Sequence, residues 1–114
     1  MASPQRLNRI RGQMFREVSD IVMHLRDPRI HGVNVCDIEV TRDLGYATIF
    51  ISLIGSEDEQ KDAVLAMRKA SGHIRSQIAQ RIRLRYTPEF RIEYDYTSER
   101  AARVTHLIDD LELE

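Results

Sequence analysis

Lys69-Ala70-Ser71-Gly72-His73-Ile74-Arg75 sits within a long helical pattern, and Arg81-Ile82-Arg83-Leu84-Arg85 follows it six residues later. From Arg68 to Arg91 the chain carries seven Arg or Lys (Arg68, Lys69, Arg75, Arg81, Arg83, Arg85, Arg91) and one acid, Glu89. The formal charge of the whole 114-residue chain is −1, so the positive charge is segregated. Segregation of this kind is the electrostatic footprint of a phosphate-binding surface. The central Ser71-Gly72 pair allows two readings. Glycine inside a helix costs about 1 kcal/mol relative to alanine, and kinks concentrate at Gly/Ser pairs. A kink at 70–72 would start a second helix and present free N–H groups at Gly72 and His73 to an anion. Alternatively, Gly72 is tolerated in one continuous helix. The kink is the expectation, and its positive dipole end would lie beside Lys69, His73 and Arg75.

Outward from the joint, Ala63, Val64, Met67 and Ala70 precede it and Ile74, Ile78 and Ile82 follow at four-residue spacing, the apolar stripe of a helical pair. The far face centres on Ser76, Gln80 and Arg83, with Arg75 on one flank and Gln77 and Arg81 on the other. Upstream, Ser56 and Glu59 have capping-box spacing, and Glu57, Asp58 and Glu59 suit a helix N-terminus. Downstream, Pro88 closes the helical region. Phe90–Asp95 then alternates as a strand with Phe90, Ile92 and Tyr94 inward. Thr97 or Ser98 caps a last helix on which Ala101, Val104, Leu107 or Ile108, and Leu111 recur, before an acidic end over 109–114.

The first half supplies the remaining elements. Ser3-Pro4 is a helix start. Leu7, Ile10, Met14, Val18, Ile21 or Val22, and Leu25 form one stripe of a helix about six turns long. Arg9, Arg16 and Asp20 lie opposite, with Arg6 and Glu17 on a flank. These arginines are either a solvated helix face or an extension of the basic cluster toward nucleic acid. Asp27-Pro28-Arg29 stops the helix. Val33–Val40 reads as a strand with a bulge near Asn34-Val35, and Tyr46–Leu53 as a second strand burying Ala47, Ile49, Ile51 and Leu53. The short connection Thr41–Gly45 makes them an antiparallel hairpin.

The order is therefore α-β-β-α-kink-α-β plus a last helix, an α+β fold in a single domain over 1–114. With 42% hydrophobic and 31% charged residues the composition is that of a globular protein. No apolar run reaches the roughly 20 residues of a membrane span. Met1–Gln13 has three arginines and no acid, like a transit peptide, but it merges into the first helix and reads as mature structure. One cysteine, Cys36, excludes an internal disulfide and points to a cytoplasmic protein.

Four motifs in this order carry a family resemblance. They are Asp27-Pro28-Arg29 after a long helix, Glu39-Val40-Thr41-Arg42-Asp43-Leu44 at the hairpin, Ala70-Ser71-Gly72-His73-Ile74-Arg75, and Arg83-Leu84-Arg85-Tyr86-Thr87-Pro88-Glu89-Phe90. Together they resemble the ribosome-binding factor A family over roughly residues 4 to 108. The resemblance implies a type II KH-like domain whose Gly-x-x-Gly loop is replaced by an Ala-x-Gly kink, here Ala70-Ser71-Gly72. It also implies an assembly factor for the free 30S subunit that assists late 16S rRNA maturation and matters in cold adaptation. Implied partners are the 5′-terminal and decoding-region helices of 16S rRNA and an assembly GTPase.

The expectation is a non-catalytic RNA clamp without cofactor or metal, taken as a monomer since nothing at coiled-coil spacing suggests a dimer. Its candidate contacts are Lys69, Ser71, Gly72, His73, Arg75, Arg81, Arg83 and Arg85, with Arg6 and Arg9. Residues two apart on a helix do not share a side, so these cannot all face one ligand. Two rival classes remain. An enzyme would need more than scattered His24, His31, His73, His106 and Cys36, since no H-x-x-x-H, C-x-x-C, G-x-S-x-G or phosphate loop is present. A protein-binding module would use the acidic 57–62 stretch or the acidic end, with weak salt dependence.

Overall fold

Ser3 accepts a hydrogen bond at Oγ from the Arg6 N–H (3.2 Å) and Pro4 takes the first helical position, so a helix starts where the chain can satisfy it. In the computed structural model, which describes residues 3–97, this helix is α1, Pro4–Met23. Its stripe Ile10, Met14, Val18, Ile21 and Val22 is buried. His24 caps the end, four residues before Pro28. Pro28 instead opens a 3-10 turn, Pro28–Ile30, capped by Asp27. The Asp27 Oδ1 accepts from the Arg29 backbone N–H (2.9 Å) and Nε (3.1 Å), and Oδ2 from Nη2 (2.8 Å). This turn buries Ile30, and Gly32, at φ +85°, swings the chain into the sheet.

Strand β1, Asn34–Val40, pairs antiparallel with β2, Tyr46–Ser52, from Asn34↔Ser52 to Val40↔Ala47. The expected bulge is present but falls between Val35 and Asp37, later than the sequence phase indicates. It leaves Cys36 half-buried with its thiol 3.2 Å from the Ser52 hydroxyl, not in the core. In the connecting turn the left-handed residue is Leu44 (φ 58°), not Gly45. A non-glycine there costs roughly 1–2 kcal/mol. The packing of the Leu44 side chain against the core works against that cost.

Ser56 and Glu59 form the expected capping box. It opens α2, which runs from Glu57 to Arg81 as one α-helix. The expected kink at 70–72, with a second helix beginning there, is therefore corrected. Buried Ala63, Met67, Ile74 and Ile78 keep one helical phase across Gly72. Burying that stripe favours an unbroken helix by more than one glycine disfavours it. A Cβ at Gly72 would meet nothing within 4 Å. The free N–H groups expected at Gly72 and His73 are thus absent, since each lies in the helix interior.

After α2, β3 (Glu89–Tyr94) joins β2 in parallel, Tyr46↔Glu89 to Ile51↔Tyr94, giving the order β1-β2-β3. Both helices cover one face, α1 packing on β1 and α2 on β3. The core between the layers centres on Met14, Ile38, Ile49, Met67, Ile74 and Ile92. The helix expected after Thr97 or Ser98 lies outside the described residues.

Two tests follow from this architecture. Replacing Gly72 by Ala raises stability by about 0.5–1 kcal/mol in chemical denaturation, the reverse of the loss expected at a strained joint. The Arg29 side chain and backbone N–H hold the Asp27 carboxyl at about 2, below its ordinary 3.8. With the folded value depressed, its contribution to stability is full above the unfolded value and disappears as pH falls from about 4 through about 2. Carboxyl ¹³C titration should show Asp27 remaining ionised until the pH falls to about 2.

Candidate nucleic-acid interface

The clustered cations of the sequence separate once α2 is fixed between α1 and β3. Arg81 points to α1, where its Nη1 donates to Glu17 Oε2 (2.9 Å) and Asp20 Oδ2 (2.7 Å). The hydrogen bond from Arg81 holds the Asp20 carboxyl below its ordinary range, while Asp20 and then Glu17 raise the guanidinium. Two carboxylates outweigh one guanidinium, so Arg81 ties helix to helix. Arg75 points to the other flank, donating from Nε (3.3 Å) and Nη2 (3.0 Å) to the Thr87 carbonyl. Among the described residues no acid pairs with it there. Arg68 likewise donates to the Ile92 carbonyl (3.2 Å).

Lys69, Gly72 and His73 share the exposed outer face of α2 with Ser76 and Gln80. Half-buried Ser71 donates its hydroxyl to the Arg68 carbonyl (2.7 Å). This face holds fewer free cations than the sequence indicates, because the most basic stretch continues past the helix end. Ile82 is the extended C-cap, and Arg83 follows in the exposed connection to β3.

That connection comes up beside the β1–β2 turn and the first turn of α1. A groove of about 390 Å³ lies between them, with Arg6, Arg42, Leu84, Arg85 and Tyr86 in its walls. The Arg85 guanidinium carbon stands 5.6 Å from the centre of the Tyr86 ring, which is 73% exposed. Asp43 also faces the groove. The Gly45 N–H (2.9 Å) and the Thr41 hydroxyl (2.7 Å) donate to its Oδ1 and hold its carboxyl below the ordinary range. Among the described residues, three guanidiniums against one carboxylate make the groove lining positive. Arg9 is exposed on the next turn of α1, outside the groove walls.

The groove therefore unites Arg6 and Arg85 from the expected set with Arg42 and Tyr86, which charge density alone does not single out. Both stand in the hairpin and Pro88 motifs that carried the family resemblance. On the opposite sheet face Arg91 stacks over Tyr46 at 3.9 Å and is turned away from the other cations. Among the described residues no group of three or more His, Cys, Asp or Glu comes together as a metal site.

The arrangement is that of a two-layer α+β fold with one basic, aromatic-bearing end. A family model, ribosome-binding factor A, matches residues 6–108. The chain belongs to the ribosome-binding factor A family. Its relatives include ribosome-binding factor A of Acetivibrio thermocellus, 40% identical over 93% of this chain and 88% of that one. That of Gloeobacter violaceus is 45% identical over 87% and 80%. The solution structure of a Thermotoga maritima protein is similar with a TM-score of 0.71 at 28% identity, covering 82% of this chain and 90% of that one. A homology model of Thermus thermophilus ribosome-binding factor A, fitted into a cryo-EM map of a 30S complex, shares the fold. Its TM-score is 0.66 at 20% identity over 78% and 94% of the chains.

The division of labour among the arginines is open to test. Arg81→Gln should lower Tm modestly, and by less at high salt where exposed ion pairs are screened. Its nucleic-acid affinity should stay close to that of the wild type. A large loss of affinity with an unchanged Tm would make Arg81 a contact and not a tie.

Proposed function

We propose that this protein is a non-catalytic ribosome assembly factor that binds the free 30S subunit in the cytoplasm and assists late 16S rRNA maturation. Membership of the ribosome-binding factor A family is the observation that carries this reading. The free arginines at one end of a chain of net charge −1 give it a physical basis. In this reading residues 1–114 are one type II KH-like domain acting as a monomer. The β2-α2-β3 parallel unit, preceded by α1 and β1, supports that description. The rRNA partners are the 5′-terminal and decoding-region helices, and an assembly GTPase docks on another surface. A role in cold adaptation belongs to the same reading.

The contact surface runs from the outer face of α2 to the groove. Lys69, His73 and the uncommitted edge of Arg75 meet phosphates along α2. Gly72, with open space above it, and the nearby Ser71 let the sugar–phosphate backbone approach closely. Arg83, Arg85, Arg6, Arg9 and Arg42 continue the track. A continuous helix in place of a Gly-x-x-Gly loop disfavours threading of four nucleotides and favours recognition of folded rRNA by phosphate spacing. About six phosphate contacts would lose on the order of 10³ in affinity between 50 and 200 mM salt.

Co-sedimentation with 30S subunits across a salt series tests the proposal. Wild-type protein should be retained at low salt and released steeply as salt rises. The Lys69→Ala/Arg83→Ala variant should bind more weakly, with a salt slope shallower by roughly 1–2. Failure of the wild type to sediment with 30S at low salt would overturn the function. Unchanged retention of the folded double variant would remove these two cations from the interface.

A further inference from the structure

We infer that the groove between the start of α1, the β1–β2 turn and the 82–88 connection is a site for one unpaired RNA nucleotide. The base stacks on Tyr86 and the phosphate lies against Arg6 and Arg42. This inference rests on the proposed function and names the ligand of one part of its surface.

The first observation is how the connection is held. Ile82 is buried at the helix end, Leu84 is half-buried against the core and Pro88 is fully buried. Between them Arg75 donates two hydrogen bonds to the carbonyl of Thr87, the residue next to Tyr86. Here Leu84 takes the inward position and Tyr86 stands 73% exposed. The ring is presented on a fixed backbone, so binding costs little ordering.

The second observation is the charge around the ring. Arg85 approaches Tyr86 from within its own loop, while Arg6 and Arg42 arrive from two other elements. Neither Arg6 nor Arg42 has a carboxylate partner for its side chain among the described residues. Among the described residues the one acid lining the groove, Asp43, accepts from Thr41 and Gly45 within its own turn. A flat π-surface beside free guanidiniums matches a base linked to its phosphate. A duplex keeps its bases stacked inside and cannot use the ring. An isolated anion needs only the arginines. The groove, at about 390 Å³, is large enough for a single base and its sugar.

The test compares wild type, Tyr86→Ala, Tyr86→Phe and Arg42→Ala by fluorescence anisotropy with labelled hexa-adenylate RNA and with a blunt RNA duplex. Co-sedimentation with 30S runs in parallel. Tyr86→Ala should weaken hexa-adenylate binding by about 5- to 160-fold, the range for loss of one base–aromatic stack. Tyr86→Phe should retain it, and the duplex should not distinguish these two variants. Arg42→Ala should weaken both RNAs. If wild type sediments with 30S while Tyr86→Ala binds hexa-adenylate as well as wild type, the stacking site is overturned and the proposed function stands. Equal losses on duplex and single strand in Tyr86→Ala would also overturn it. Wild type that does not sediment with 30S overturns the proposed function, and the site with it.

Discussion

Parallel pairing of β2 with β3 is the constraint from which the remaining geometry follows. Parallel neighbours cannot be joined by a tight turn; the chain must cross back over the sheet before re-entering it in the same direction. Here α2 makes that crossing, and its 25 residues return the chain to the start of β2. Glu89 consequently begins β3 opposite Tyr46, with its N–H donating to the Gly45 carbonyl at 3.0 Å. The segment before β3 is therefore brought against the β1–β2 turn. A groove lined by residues some 40 positions apart in the chain is a direct product of that pairing.

The same crossing decides what each cation does. A helix packed on a sheet and beside a second helix has two flanks and one outer face, and its basic residues divide among them. Arg81 falls on the α1 flank and meets Glu17 and Asp20. Arg75 and Arg68 fall on the β3 flank, where backbone carbonyls accept their hydrogen bonds but leave their charge in place. Only Lys69 and His73 occupy the outer face. The free positive charge therefore shifts toward the end of the helix and the groove. A net charge of −1 does not prevent nucleic-acid binding when the acids lie elsewhere, as Glu57, Asp58 and Glu59 do at the opposite end of α2.

Local signals in the chain were strong enough to place α1, the start of α2 and the three strands, though not the 3-10 turn Pro28–Ile30. Ser3-Pro4 and the Ser56–Glu59 pair mark helix starts because orphan N–H groups need nearby oxygen acceptors. Alternation at Ala47, Ile49 and Ile51 and at Phe90 and Ile92 marks half-buried strands, since successive side chains take opposite faces. The reading failed at Ser71-Gly72, where local propensity was set against a continuous apolar stripe. Met67, Ile74 and Ile78 keep their phase through that point, and tertiary burial outweighs the glycine penalty.

By itself, then, the sequence determined the α+β class, the hairpin, the helix starts at Pro4 and Glu57, and the family. Each depends on contacts or patterns close along the chain, or on motifs preserved in order. Tertiary structure alone decided the partners of the arginines and the meeting of Arg6, Arg42, Arg85 and Tyr86. Charge density along a chain records how many cations are near one another in sequence. Which of them remain free depends on the acids and carbonyls that folding brings beside them, as Glu17 comes to Arg81 across 64 residues.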